Sequence, residues 1–281
     1  MTLLHERVNQ KIVFICGAGH SGSTLLGFIL GSHSECFYAG ETNKTQYFNM
    51  KEPSKITKDC KFCGPNCRIW SKVDIKSTID LYEQLSNITN KRFIIDSTKD
   101  LSWLRKQINI MERMDVKLYL IYLLRDGRAV INSRIRKYPD SSVESHIYDW
   151  MQHIQLTNNL FDHFQGVKLK IHYEDLAIHP EEVIQKVCKH FDFSYEPTMI
   201  NFFNFDHHPL GGNSGTQFII TKAQKTTSEG RIQLSNQNTE YYSNHPLNIK
   251  LDLRWKQELR PENLMMFDQL TGSLNEELKR E

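Results

Sequence analysis

Short strand-like runs alternate along this chain with longer stretches whose apolar positions recur at helical spacing. The strand-like runs fall at residues 12–16, 37–38, 93–96, 117–124 and 167–172. The run at 117–124 is apolar after its first residue, as expected of a strand buried on both faces. The helical stretches fall at 23–30, 75–85, 101–114, 128–137, 143–164 and 180–191. In the last of these Val183, Val187 and Phe191 repeat at i, i+4 spacing, and Pro180 suits a first helical turn. Strand followed by helix, repeated, predicts an α/β fold: a parallel sheet flanked by helices.

Two stretches break the alternation. Residues 42–72 are polar, with Lys, Thr, Asn, Pro and three cysteines, and read as an insertion loop. Residues 205–246, from His207-His-Pro-Leu-Gly-Gly-Asn213 onward, are rich in Ser, Thr, Asn, Gln and Gly. They read as a long polar loop or lid rather than a second unit, so residues 1–281 are expected to form one domain.

Composition narrows the class. The 281 residues are 39% hydrophobic and 24% charged, which fits an ordinary water-soluble chain. A net charge of +2 gives no general pull toward nucleic acid. No apolar run approaches the ~18 residues that span a bilayer. The first ten residues lack a signal-peptide core, and a cytoplasmic location is the expectation.

The chemistry gathers at two strand ends. The run Ile12-Val-Phe-Ile-Cys-Gly-Ala-Gly-His-Ser-Gly-Ser-Thr-Leu-Leu26 passes from strand through a small-residue loop into a helix. Glycines let backbone N–H groups approach phosphate oxygens, and a helix N-terminus favours negative charge. Gly17, Gly22 and Thr24 fit the nucleotide loop G-x-x-x-x-G-K-[ST], but Ser23 stands where its lysine belongs. That lysine reaches the β- and γ-phosphates, so its absence argues against a nucleoside triphosphate. At the second strand end, 117–124 runs straight into Arg125-Asp126-Gly127-Arg128, with Ser133 eight residues after Arg125. A planar guanidinium suits bidentate phosphate contact.

Together these segments resemble the sulfotransferases that use 3′-phosphoadenosine 5′-phosphosulfate (PAPS). His20-Ser21-Gly22-Ser23-Thr24-Leu25-Leu26, with Gly40-Glu41 downstream, is similar to the family's 5′-phosphosulfate loop. His20 stands where the family more often has arginine or lysine. The second segment resembles its 3′-phosphate motif. The resemblance implies a P-loop-NTPase-like sheet that moves a sulfonyl group from PAPS to a hydroxyl or amine, releasing 3′-phosphoadenosine 5′-phosphate (PAP). It implies that Gly19, His20, Ser21, Gly22, Ser23 and Thr24 hold the phosphosulfate, and that Arg125 and Ser133 hold the 3′-phosphate. The acceptor would be a small molecule or carbohydrate, with no nucleic acid and no metal involved. Asp96-Ser97-Thr98-Lys99 resembles an Asp-Ser-Ser-Lys segment of bacterial members, making Lys99 the expected charge stabiliser. Glu41, at the place of a base in sugar-modifying relatives, is the expected proton acceptor, and His20 the third catalytic candidate. His207 and His208 are outside candidates, should the polar loop fold over the site.

Two alternatives stay open: a P-loop kinase or NTPase, which needs the missing lysine, and a non-catalytic nucleotide-binding module. Cys16 and Cys188 fall in strand and helix patterns and are expected in the core. Cys60, Cys63 and Cys67 crowd into eight residues without a second knuckle. A structural or acceptor-side loop, a disulfide and a metal site all remain possible for them.

Overall fold

The structure, a computed structural model, describes residues 6–48, 59–226 and 231–280. Five strands form one parallel sheet: β1 (Lys11–Cys16), β2 (Cys36–Gly40), β3 (Phe93–Asp96), β4 (Lys117–Leu124) and β5 (Val167–His172), in spatial order β2-β3-β1-β4-β5. The helices are α1 (Ser23–Gly31), α2 (Leu81–Thr89), α3 (Leu101–Met111), α4 (Gly127–Lys137), α5 (Val143–His163), α6 (Tyr173–Ile178), α7 (Pro180–His190), α8 (Ser214–Gln224), α9 (Asn236–Ser243), α10 (Trp255–Glu258) and α11 (Pro261–Thr271).

The strands divide the core by their period of two. On one face Ile12, Phe14, Leu120 and Tyr122 pack with Leu104 and Ile108 of α3 and with Ile147, Trp150 and Ile154 of α5. On the other, Val13, Ile15, Tyr119 and Ile121 pack with Leu26 and Ile29 of α1 and with Ile184 and Val187 of α7. β1 sits in the middle, buried along its whole length. Its register places Phe14 beside Asp96 and Cys16 beside Tyr122. All strands point the same way, so their carboxyl ends line one edge of the sheet. Open α/β sheets bind ligands in the crevice there.

The strand expectations hold closely, and the differences concern helix ends. The helix expected at 75–85 begins at Leu81, because the Asp80 side chain accepts the Glu83 N–H and caps it there. Ile75 and Ile79 are left exposed in the turns before it. The third helix stops at Met111, three residues short of expectation. α6 was not anticipated. Residues 205–246 carry α8 and α9 instead of continuous loop. The part of the expected insertion at 49–58 lies outside the described residues. Cys16 and Cys188 are buried in the core, as expected. Among the described residues no helix is long and apolar enough to cross a membrane.

Candidate active site

Each strand delivers something to the common edge. β1 ends in the glycine-rich loop. Gly17 (φ +133°) turns where a Cβ would meet the Leu123 carbonyl oxygen at 2.5 Å, and Gly22 (φ +96°) where one would meet the Tyr173 ring at 2.5 Å. Only glycine fits both the conformation and the space. His153 Nε2 lies 3.1 Å from the Gly17 carbonyl oxygen. Gly22 is also the N-cap of α1, so no side chain caps the helix and no acidic residue occupies its first turn. Its first N–H groups are therefore free for an anion. β2 delivers Glu41, β3 delivers Lys99, β4 delivers Arg125, and β5 leads into Tyr173.

These ends enclose one cavity of about 780 Å³, within the usual range for ligand pockets. Of the residues singled out from the sequence, Gly19, His20, Gly22, Ser23, Thr24, Glu41, Lys99, Arg125 and Ser133 all line it. Ser21 lies behind the loop, its hydroxyl buried and unpartnered. His207 and His208 do not line the cavity. The His207 ring packs against Phe28, with Nε2 2.8 Å from the Phe202 carbonyl oxygen. His208 turns toward the three cysteines.

The lining carries eight cationic side chains, Lys44, Lys61, Lys99, Arg125, Arg136, Lys137, Lys250 and Arg254, against two carboxylates, Glu41 and Asp252. A chain of net charge +2 thus concentrates positive charge in one crevice. Arg125 is almost fully enclosed. Its Nη1 donates to the His20 carbonyl at 2.7 Å, Nη2 lies 3.6 Å from the Asp252 carboxylate, and its guanidinium stacks on Tyr173 at 4.1 Å. Its Nε is buried without a partner. Asp252 is forked by Arg254, with Nε and Nη2 each donating at 2.8 Å. Burial would raise the Asp252 carboxyl, but the Arg254 bonds and Arg125 hold it well below the usual carboxylate range. Ser133 Oγ lies 3.4 Å from Arg136 Nη2, placing a second guanidinium beside it.

Lys99 donates to the carbonyls of Ile15 and Ser97, directly under the loop. Burial pushes its ammonium down to about 8, against the pull of Glu41. The Glu41 carboxylate lies 3.4 Å from Lys44 Nζ and close to Gly211, while its N–H donates to the Leu210 carbonyl. His20 is held in the left-handed region, at φ +71°. Burial first, then Lys137, Arg134, Arg125 and Arg136, press its imidazole down to about 3. It is therefore neutral here, and the fixed positive charge comes from its neighbours. Lys61, Arg136 and Arg254 were not anticipated. Their places in the polar insertion, a helix end and the C-terminal region carry no local motif.

The sequence profile of the sulfotransferase family matches residues 13–197, more than half of the chain. The chain belongs to the sulfotransferase family. It is therefore a transferase acting on sulfuryl groups. A Caenorhabditis briggsae protein named "Putative protein-tyrosine sulfotransferase" is 25% identical over 209 residues, 72% of this chain and 71% of that one. The solved sulfotransferase domain of the curacin biosynthetic pathway is 19% identical, covers 95% of this chain and 99% of its own, and superposes with a TM-score of 0.61. The sulfotransferase domain of the Synechococcus PCC 7002 olefin synthase is 16% identical, covers 95% and 96%, and gives 0.58. These two share the fold of this sulfotransferase.

Proposed function

We propose that this sulfotransferase takes PAPS as its donor and sulfates a hydroxyl or amine of a small-molecule or carbohydrate acceptor, acting as a single domain. The observation that carries this reading is the crevice itself. Eight cations against two carboxylates, beside an uncapped helix N-terminus, suit a ligand with two separated anionic groups. Arg125, which lines the cavity, keeps a buried Nε without a protein partner, and buried polar groups ordinarily find partners.

In this reading residues 19–24 hold the 5′-phosphosulfate through backbone N–H groups and the hydroxyls of Ser23 and Thr24. Arg125 and Ser133 hold the 3′-phosphate, with Arg136 as a further cation. PAPS, when bound, supplies the sulfuryl group and a phosphate leaving group. Lys99 stabilises negative charge that builds beneath the loop, where a fixed cation in a water-poor site is most effective. Glu41 takes the acceptor proton. His20, neutral, shapes the loop and anchors Arg125 through its carbonyl. Within the expected lid, Gly211, Gly212, Tyr241 and Tyr242 line the cavity and would cover the donor. PAPS carries no triphosphate for magnesium to bridge, and Ser23 stands where a triphosphate-binding loop has its lysine, so this reading needs no metal for the transfer.

The test is binding by titration calorimetry, with PAP, adenosine 5′-phosphate and ATP with magnesium compared. PAP should bind most tightly. Equal binding of PAP and adenosine 5′-phosphate, or a preference for ATP with magnesium, would sink the reading. Peptide tyrosine joins phenols, sugars and amines in an acceptor screen because of the Caenorhabditis briggsae relative's name.

A further inference from the structure

We propose that Cys60, Cys63, Cys67 and His208 form a structural zinc site, which fastens the cysteine loop to the wall of the donor cavity. The four ligand atoms all lie within 4.8 Å of one another. His208 Nδ1 stands 3.0 Å from Cys63 Sγ, 3.6 Å from Cys67 Sγ and 4.0 Å from Cys60 Sγ. In a tetrahedral site with Zn–S of about 2.3 Å and Zn–N of about 2.0–2.1 Å, neighbouring ligand atoms are roughly 3.5–3.8 Å apart. The observed spacings bracket that value. A single imidazole nitrogen has one lone pair or one proton, so it cannot bond three sulfurs at once. A cation at their common centre accounts for the convergence.

The surroundings are those of a metal ligand set. His208 Nε2 lies 3.1 Å from the Asp206 carboxylate, the outer partner that fixes the tautomer of a ligating histidine. Trp70 Nε1 donates to the His208 carbonyl and holds its backbone. The loop turns tightly at Gly64 (φ +74°), where Gly64 N–H donates to the Cys60 carbonyl at 2.6 Å and Cys67 N–H to the Gly64 carbonyl at 3.2 Å. Cys60, Cys67 and His208 are buried. Three sulfurs and one nitrogen suit zinc, and with four protein ligands no position is left open for substrate. The site is therefore structural.

Its place in the fold says what it fastens. Cys60 pairs across a short bridge with Leu210, and Leu210 pairs with Gly40, next to Glu41. Between the cysteines, Lys61 Nζ reaches the Gly212 carbonyl at 3.3 Å and Ser214 Oγ at 3.1 Å. The metal would thus hold Lys61 and the Gly211-Gly212 wall in position, without taking part in transfer.

The test is the zinc content of the full chain, purified under reducing conditions from zinc-supplemented cells and measured by inductively coupled plasma mass spectrometry. One zinc per chain is expected. Cobalt exchanged into the site should give thiolate charge-transfer absorption and intense tetrahedral bands. Cys63→Ser and His208→Ala should lose the metal, His208→Cys should keep it, and Cys188→Ala should keep it. Removing zinc from the wild type with a chelator should lower Tm, and adding it back should restore it. The wild-type measurements decide even if a ligand variant fails to fold. A folded wild type without zinc would overturn the proposal, as would a disulfide among these cysteines in mass spectrometry or zinc unaffected by Cys63→Ser and His208→Ala.

Discussion

Replacing Arg125 by alanine separates a ligand contact from a structural one. The guanidinium now serves four neighbours: the His20 carbonyl, the Asp252 carboxylate and backbone carbonyl, and the Tyr173 ring. Its unpartnered Nε has donor capacity left for a ligand phosphate. Hydrogen bonds to charged groups are worth about 1.5–3 kcal/mol. At about 1.4 kcal/mol per decade, losing one such contact weakens binding by roughly ten- to 150-fold. Arg125→Ala should therefore weaken PAP by that factor, while adenosine 5′-phosphate, which lacks the 3′ group, changes little. Asp252 keeps the Arg254 fork in the variant, so the fold should survive, as a thermal melt by circular dichroism can verify. Titration calorimetry of wild type and variant with both nucleotides gives the coupling between Arg125 and the 3′-phosphate directly. Equal weakening of both nucleotides would refute the reasoning. It would mean that Arg125 acts only by bracing the loop at His20.

Glu41→Gln should lower turnover by ~10²–10⁴-fold, the usual range for a general base, while PAP binding stays intact; near-normal turnover on the true acceptor removes Glu41 from the mechanism. Lys99 is charged below about pH 8 and neutral above it, so kcat/KM should fall as pH rises through 8. Lys99→Arg should move that limb to higher pH, and an unmoved limb would assign it to another group. Burial presses His207 down to about 4 from 6.5, so between those values the unfolded chain holds a proton that the folded one lacks. Stability is then complete above pH 6.5 and falls on acidification, by about 2 kcal/mol at pH 5 from this group alone. His207→Gln should flatten the slope in urea melts between pH 7 and pH 5, and parallel slopes would show that the histidine is not responsible.

The sheet was legible because four of its strands are short, mostly apolar runs buried almost throughout, while the fifth, Val167–His172, alternates apolar and polar residues at the sheet edge. Their carboxyl ends put the loop, Lys99 and Arg125 on one edge, whereas Glu41 was legible only through the family resemblance. Helix ends were less legible. Asp80 caps α2 through its own side chain, a local competition that periodicity does not register. The charge of His20 depends first on its burial and then on Lys137 and Arg134, cations far away in sequence. The role of the cysteines was hidden for the same reason. Their fourth partner, His208, comes from a segment about 140 residues further on. Sequence spacing alone showed three of the cluster's four members.

The proposed transfer takes its sulfuryl group from PAPS and needs no divalent metal at the transfer site. The most direct measurement incubates the purified protein with sulfur-labelled PAPS and a panel of phenols, tyrosine peptides, sugars and amines, in buffers with and without magnesium and free of chelator. Acceptor-dependent release of PAP, with label appearing on the acceptor, is expected at the same rate in both buffers. Transfer of phosphate from ATP with magnesium, with PAPS left intact across the panel, would contradict it.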